Sequence, residues 1–164
     1  MHPILQQFNQ RQAHPLIQFI KYGICGGLAT GVHTATFFFC AWLLFPAFSA
    51  DDPMVKLFHI TPALISDTLR ARNAIIDNFL AFVLSNLTAY ILNILWVFES
   101  GRHHWAVEIG MFYLVSGISV VIGMVLMGVL INNYGCTTTT AFVAVLFTSL
   151  MINYITRKKV IFKN

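Results

Sequence analysis

Charged side chains are scarce in this sequence and are absent from long parts of it. Asp, Glu, Lys and Arg make up 10% of the 164 residues, against ~25% in an ordinary soluble domain. None of the four occurs from Ile109 to Thr156, between Tyr22 and Ala50, or between Asn78 and Phe98. The first of these runs, roughly 48 residues, has room for two bilayer crossings of ~20 residues each. The chain is therefore expected to be an integral membrane protein.

Cysteine is also scarce, with 3 residues in the chain. Cys25 and Cys40 fall in one apparent helix, ~22 Å apart at 1.5 Å per residue, which is too far for a disulfide. No CxxC or Cys/His spacing indicates a zinc site, and no catalytic set of side chains or phosphate-binding glycine loop is recognisable. We therefore predict neither a metal nor a cofactor, and no covalent catalysis.

Apolar stretches are what the sequence has in abundance, since 57% of its residues are hydrophobic and its mean hydropathy is +0.73. Four of them lie at about residues 17–45, 74–98, 109–131 and 138–155. They predict an all-α integral membrane protein whose single domain, residues 1–164, contains four transmembrane helices. An even number of spans places both termini on one side, and that side carries seven of the ten Lys and Arg residues. The positive-inside rule therefore predicts cytoplasmic termini.

The basic residues at the end of the chain fit a membrane better than a nucleic acid. Arg157, Lys158, Lys159 and Lys163 follow the last apolar span directly. A cluster in this position is typical of the positive-inside rule and of contact with anionic lipid head groups. The sequence has no basic helix face with interleaved aromatic residues, so membrane lipids are the predicted partners and nucleic acids are not.

The first span has a face of small residues, because Gly23, Gly27 and Gly31 recur at every fourth position. In lipid, such a face lets two helix backbones approach closely. We interpret these glycines as helix-packing positions, within one subunit or between subunits. A sliding surface for conformational change is the alternative.

Residues 46–73 form the one sizeable loop of the predicted topology. Within it, Thr61 and Pro62 have the pattern of a helix N-cap followed by proline at the first helical position. Leu64, Ile65 and Leu69 would then line one face of the helix. This pattern predicts a short amphipathic helix in the outer loop, lying on the outer leaflet or packed as a cap over the other helices.

The second and fourth spans end in similar sequences, YILNILWVF at residues 90–98 and YITRKKVIF at residues 154–162. The two segments share the tyrosine, the isoleucine and the final phenylalanine. The first and third spans correspond more weakly, through Tyr22 and Gly26 in one and Tyr113 and Gly117 in the other. The pattern indicates two helix hairpins in parallel orientation, related by an axis along the membrane normal.

Two motifs make the chain resemble the GtrA-like family of small four-span membrane proteins. Residues 19–30, FIKYGICGGLAT, resemble that family's opening motif of a basic residue, an aromatic residue and Gly-Gly-Leu-Ala-Thr. The family's second motif is Asn-aromatic-x-x-Asn-Arg-x-Trp-Val-Phe, and the chain matches it at Tyr90, Asn93, Trp96, Val97 and Phe98. Matching places in the second copy hold Asn153, Tyr154, Lys158 and Phe162. The chain departs from the motif at Ala89 and Ile94, where the family has asparagine and arginine.

The resemblance implies that the protein moves a polyprenyl-phosphate-linked monosaccharide, typically undecaprenyl-phosphate glucose, across the bacterial inner membrane. The sugar would then modify an envelope polysaccharide. Four short spans enclose little volume, so we expect a homo-oligomer. One alternative is a non-transporting adaptor or anchor for a membrane glycosyltransferase. Another is a small multidrug-type exporter, for which Asp77 and Glu108, both at predicted span edges, are the nearest acidic residues.

A phosphate crossing the bilayer needs a cation in place of water. Lys21, near the start of the first span, is the leading candidate to bind it, and the alternative is an anchor that snorkels to the interface. Arg157 and Lys158 are further phosphate-binding candidates because Lys158 matches the arginine of the family motif. Their alternative role is to anchor the helix end at the head groups.

The sugar itself needs hydrogen-bonding groups along its route. Asn78, Asn86 and Asn93 lie close to one face of the second span, and their amides could pair with sugar hydroxyls. Tyr90 of the motif and His33 within the first span are further candidates for this polar path. The alternatives are interhelical hydrogen bonds for the asparagines and, for His33, a neutral histidine hydrogen-bonded to the backbone of a neighbouring residue.

Asp77 is an ionisable residue near the outer end of the second predicted span. An ionisable group in the membrane is a candidate for function by default. Since Arg72 lies five residues before it, we expect the two side chains to form an ion pair at the interface rather than a proton-coupling site.

Overall fold

The described part of the chain is entirely helical. The computed structural model describes residues 10, 14–97 and 105–160, and the side chains of residues 15, 105, 108, 111, 112, 115, 150, 151 and 153–160 lie outside that description. The helical elements are α1 (Pro15–Leu43), α2 (Pro53–Phe58), α3 (Asp67–Leu92), a π-helical segment (Asn93–Val97), α4 (Trp105–Tyr134) and α5 (Thr138–Val160). These residues contain no β-strand, so the predicted all-α class is confirmed.

Three of the predicted spans are confirmed as helices that are long and apolar enough to cross a bilayer. They are Leu16–Leu43, Asp67–Val97 and Ser116–Tyr134. The fourth, α5, contributes the shorter apolar stretch Thr138–Ser149 among the described residues. By length and composition the chain is a multi-pass membrane protein.

Helix α3 begins at Asp67, earlier than the predicted boundary near residue 74. The Ser66 hydroxyl accepts a hydrogen bond from the backbone N–H of Leu69 at 3.3 Å, as a helix N-cap does. One turn later Arg70 forms an ion pair with Asp67 at 2.8 Å and donates to the carbonyl of Cys136 at 2.7 Å. The charged residues that looked like a loop therefore form the first turn of α3, because each has a partner there.

The short helix between α1 and α3 also lies elsewhere than predicted. Residues 60–66 are not helical, and the helix occupies Pro53–Phe58 instead. Asp52 is its N-cap, accepting from the backbone N–H of Met54 at 3.0 Å, and Pro53 follows at the first helical position. His59 ends the helix in a left-handed conformation with φ of 53°. The helix predicted from Thr61 and Pro62 is therefore wrong. Asp52 and Pro53 form the N-cap and first helical position instead.

The turn between α4 and α5 is formed at Gly135. This residue follows the last residue of α4 and has a φ of 62°, which glycine adopts without steric cost. Its N–H donates to the Ile131 carbonyl at 3.1 Å, and that of Cys136 donates to the Leu130 carbonyl at 3.0 Å. Carbonyls at the helix end are thereby satisfied before α5 begins.

The helices contribute to two compact units. The first unit consists of Met1–Ala35 and Ala81–Ser116, and the second consists of Thr36–Leu80 and Gly117–Asn164. In the second unit Phe37 stacks on Phe142 with ring centroids 4.0 Å apart, and Phe38 meets the same ring edge-on at 5.2 Å. In the first unit Phe82 and Tyr113 form an edge-to-face pair at 5.6 Å. The Tyr113 hydroxyl also donates to the Val83 carbonyl at 2.6 Å.

Gly123 on α4 packs tightly against α5 in the second unit. A Cβ added to it would lie 2.8 Å from Cγ1 of Val145, a stiff β-branched side chain. We expect Gly123→Ala to lower the free energy of unfolding by about 1–3 kcal/mol through overpacking. Gly117→Ala on the same helix is the matched control, because no described atom lies within 4 Å of its Cβ position. Thermal unfolding in detergent measures both, and equal effects would contradict the close contact.

Candidate functional site

Lys21 is a fully buried lysine in the first unit. Its side chain is 0% exposed, although it lies only two turns into α1. The ammonium group donates to the backbone carbonyl of Gln10 at 3.1 Å and lies 5.3 Å from the centre of the Trp96 ring. Among the described residues no carboxylate pairs with it. A snorkelling lysine would keep its ammonium group in water, and Lys21 does not.

The partner of Lys21, Trp96, belongs to the π-helical segment that ends α3. This segment, Asn93–Val97, covers five of the ten positions of the second family motif. A π-helical turn widens the backbone and is frequently found at functional sites. Here it places the Trp96 ring against the Lys21 ammonium, an arrangement in which the aromatic face stabilises the positive charge.

Two buried asparagines of the first unit have polar atoms without hydrogen-bond partners. Asn86 is 8% exposed and Asn93 is 6% exposed. Nδ2 of Asn93 donates to the Ala89 carbonyl at 2.7 Å, but its Oδ1 has no partner among the described residues, and neither has Nδ2 of Asn86. Buried polar atoms are nearly always paired, so these two have hydrogen-bonding capacity left for another molecule. One is an acceptor and the other a donor, which is what hydroxyl groups require.

His33 lies in the same unit and is hydrogen-bonded to Ser85. Its Nδ1 is 3.1 Å from the Ser85 Oγ. The Ser85 hydroxyl donates its proton to the Phe82 carbonyl at 3.2 Å. This contact agrees with the hydrogen-bonded histidine given above as the alternative, although the partner is a side chain.

The predicted polar path is distributed over both units. Asn86, Tyr90 and Asn93 belong to the first unit with His33, whereas Asn78, which is 2% exposed, belongs to the second. The path stays a prediction, and four of its five members belong to the same unit as Lys21.

The other predicted positions lie outside this group. Arg157 and Lys158 belong to the last turns of α5, but their side chains are outside the described residues. No described atom lies within 4 Å of a Cβ placed on Gly23, Gly27 or Gly31. This glycine face is thus not packed within the described chain, and its packing between subunits stays a prediction.

The expected ion pair between Asp77 and Arg72 is wrong. Arg72 is exposed, whereas Asp77 is 0% exposed and neither of its carboxyl oxygens has a hydrogen-bond partner among the described residues. Because α3 begins at Asp67, position 77 lies in the interior of the helix and not at its edge. The sequence pattern did not reveal that α3 starts so early. Arg72 and Asp77 therefore both lie on this helix, one exposed and the other buried.

Sequence reasoning missed the side chains that support these candidates. Trp96 was identified only as a motif position, and Ser85 carried no signal at all. Tyr113 entered only through the weak repeat. Each owes its role to a contact between helices, which helical periodicity alone does not specify. The motif position of Trp96, three residues after Asn93, was the one available indication.

Taken together, the first unit offers a buried cation and unpaired amide groups within membrane-spanning helices. No group of three or more His, Cys, Asp or Glu residues that could hold a metal occurs in the part of the chain that the structure describes. The arrangement suits binding of a ligand with one negative charge and several hydroxyls, since a cation and amides can replace the water that such a ligand loses in the membrane.

Comparison with known proteins identifies the family. No curated protein and no solved structure matches the chain. The family model described as GtrA/DPMS, transmembrane domain, matches residues 21–162. The match begins at Lys21 and includes both motifs that suggested the resemblance. The chain belongs to the GtrA/DPMS transmembrane-domain family.

Proposed function

We propose that the protein translocates a polyprenyl-phosphate-linked monosaccharide, such as undecaprenyl-phosphate glucose, across the bacterial inner membrane. Family membership points to a role in handling polyprenyl-phosphate sugars. The observation that carries the finer proposal is the buried ammonium of Lys21, which has no carboxylate partner among the described residues. A phosphate is the anion that this substrate class would bring to it.

In this proposal Lys21 binds the phosphate while the amides of Asn86 and Asn93 bind the sugar. The unpaired atoms of the two amides support this assignment. The prenyl chain stays in the lipid, because it gains nothing from entering a polar site. No bond in the substrate is made or broken, so the protein acts as a translocase without covalent chemistry.

The membrane arrangement is part of the proposal. The excess of Lys and Arg on one side supports cytoplasmic termini, and the two similar span ends support a pair of parallel hairpins. The open glycine face of α1 supports a homo-oligomer, because nothing in the described chain covers it. Arg157 and Lys158 would then lie at the cytoplasmic head groups, where they could collect phosphate-bearing lipid.

The test is a protection assay in vesicles containing the purified protein. A short-chain polyprenyl-phosphate glucose with a labelled sugar is incorporated into both leaflets, and membrane-impermeant periodate is added outside. Without translocation, the sugar of the inner leaflet stays protected from oxidation. We expect the protected fraction to disappear progressively in protein-containing vesicles and to persist in empty ones. Equal protection in both would reject translocation and favour the adaptor for a glycosyltransferase.

One observation favours a second candidate enough to include it in the same assay. A small multidrug-type exporter needs an acidic residue within the membrane, and Asp77 is buried in the interior of α3. Vesicles loaded with a lipophilic cation therefore form a parallel arm. Proton-coupled efflux of the cation without movement of the labelled sugar would support the exporter and reject the proposed function.

A further inference from the structure

The carboxyl group of Asp77 is the buried ionisable group that the proposed substrate site does not use. It is 0% exposed, and both of its oxygens lack a hydrogen-bond partner among the described residues. It lies ten residues after the start of α3, which is ~15 Å along a helix that rises 1.5 Å per residue. Asp77 is thus an acid within a membrane-spanning helix and away from its ends.

Other acidic residues of the second unit have partners. Asp52 is also 0% exposed, but it accepts hydrogen bonds from the backbone of Met54 and from Thr139. Asp67 pairs with Arg70, and the exposed Asp51 lies 3.6 Å from Lys56. The second unit therefore provides hydrogen-bond donors to the buried carboxylate of Asp52, but it provides none to the buried carboxyl group of Asp77 among the described residues.

Among the described side chains, none offers Asp77 a compensating charge. On its own helix Arg70 is occupied by Asp67 and the Cys136 carbonyl, and Arg72 is exposed. On α1, Cys40 is the titratable group within electrostatic range. The buried side chains that α4 and α5 contribute to the second unit are apolar or carry hydroxyls: Ser119, Met127, Ile131, Thr138, Ala141, Phe142 and Val145. No described side chain donates a hydrogen bond to the Asp77 carboxyl oxygens, so an ionised carboxylate would lose its hydration without replacement.

We propose that Asp77 is a proton-binding site, occupied in the conformation described here, whose proton exchanges with water during each translocation cycle. A carboxyl group buried without donors or cations is favoured in its neutral form. When the second unit opens to water, the O–H bond breaks, the proton passes to water and the carboxylate becomes hydrated. On closing, the carboxylate takes a proton from water again. This inference deepens the proposed function and rests on it for its coupling to translocation.

The occupancy of the site can be measured without any transport. Infrared spectroscopy detects the C=O stretch of a protonated carboxyl group, which ionised carboxylates lack. We expect a protonated-carboxyl band at neutral pH in the wild type that disappears in Asp77→Asn. Asp51→Asn is the matched control, because it removes an exposed carboxyl group from the same unit and leaves the band unchanged. Absence of the band in the wild type, or its persistence in Asp77→Asn, would overturn the proposal.

The coupling is measured in the periodate assay with a pH difference across the vesicle membrane. If one proton is exchanged in each cycle, a difference of one pH unit is expected to change the wild-type translocation rate by up to about tenfold. The change is expected for one of the two directions of the gradient. Asp77→Asn should move lipid at a rate that ignores the gradient, and Asp77→Glu should respond to it again. A gradient response in Asp77→Asn equal to that of the wild type would exclude coupling through this residue.

The two measurements separate failure of this inference from failure of the proposed function. If the wild type moves no labelled lipid at all, translocation is rejected, and the infrared band still decides whether Asp77 holds a proton. If lipid moves and the wild-type rate ignores the gradient, the proposed function stands and the coupling is overturned. If Asp77→Asn does not fold, the infrared band of the wild type is followed as the pH is raised. A band that survives the ionisation of exposed carboxyl groups and is lost only at higher pH supports a proton on Asp77. A band that is lost together with the exposed groups overturns it.

Discussion

Replacing Lys21 with methionine is expected to lower the initial rate of lipid-linked sugar translocation by about 10- to 100-fold. Hydrogen bonds between charged partners contribute about 1.5–3 kcal/mol each, and each 1.4 kcal/mol is a factor of ten. Methionine has nearly the same length as lysine and fills the same volume, but it brings no charge to a phosphate. The rate per folded molecule in the periodate assay measures the effect.

The same substitution should not destabilise the fold. Lys21 is 0% exposed and has no carboxylate partner among the described residues, so its charge is expensive to bury. An apolar side chain of similar volume removes that cost, although it gives up the contact with the Trp96 ring. We therefore expect an unfolding temperature in detergent that is unchanged or raised, together with the lower transport rate.

This combination distinguishes phosphate binding from a structural role. If Lys21 serves only to anchor α1, methionine lowers stability and leaves the rate per folded molecule near that of the wild type. Lys21→Arg retains the charge and should keep a substantial part of the rate. Lys56→Met is the matched control, since it removes a lysine that is 64% exposed and lies in the second unit.

Sequence reasoning located the membrane helices but could not assign the partners of their polar residues. Long runs without charge follow directly from the lipid surroundings of a membrane helix. For this reason most ends of α1, α3 and α4 could be predicted to within a few residues. The start of α3 could not, because Asp67 and Arg70 look like loop residues until their ion pair and the capping Ser66 are seen. The distribution of charged residues along the sequence indicates where the chain enters the membrane, but it does not indicate where the helix begins.

The candidate site shows the same limit at the level of single residues. The motifs and the asparagine spacing singled out Lys21, Asn86 and Asn93, whose role in binding stays a prediction. They could not show that Lys21 is buried against Trp96, because that contact joins α1 to the π-helical segment far along the chain. For Asp77 the proximity of Arg72 in sequence was misleading, since five positions along a helix turn the two side chains to different faces.

Asp52 is the residue of the second unit whose removal is expected to cost the most stability. Its carboxylate accepts from the Met54 N–H at 3.0 Å and from the Thr139 N–H at 2.9 Å. It also accepts from the Thr139 hydroxyl. One buried side chain thus caps the start of α2 and, 87 residues away in sequence, binds the first turn of α5.

We expect Asp52→Ala to lower the free energy of unfolding by about 3–5 kcal/mol. Hydrogen bonds to a charged acceptor contribute about 1.5–3 kcal/mol each, and the sum is reduced because the three share one acceptor group. Alanine also leaves the partly buried backbone N–H groups of Met54 and Thr139 without their present partner. Asp52→Asn keeps one acceptor oxygen and should lose about half as much.

Asp51→Ala is the matched control for this prediction. Asp51 is the preceding residue, its side chain is 90% exposed, and its one ion pair, with Lys56, spans 3.6 Å. Exposed pairs of this kind contribute little to stability, so its unfolding midpoint should stay at that of the wild type. Unfolding of all three variants in mixed micelles gives the comparison. A midpoint for Asp52→Ala as high as that of Asp51→Ala would mean that the link from α2 to α5 does not stabilise the second unit.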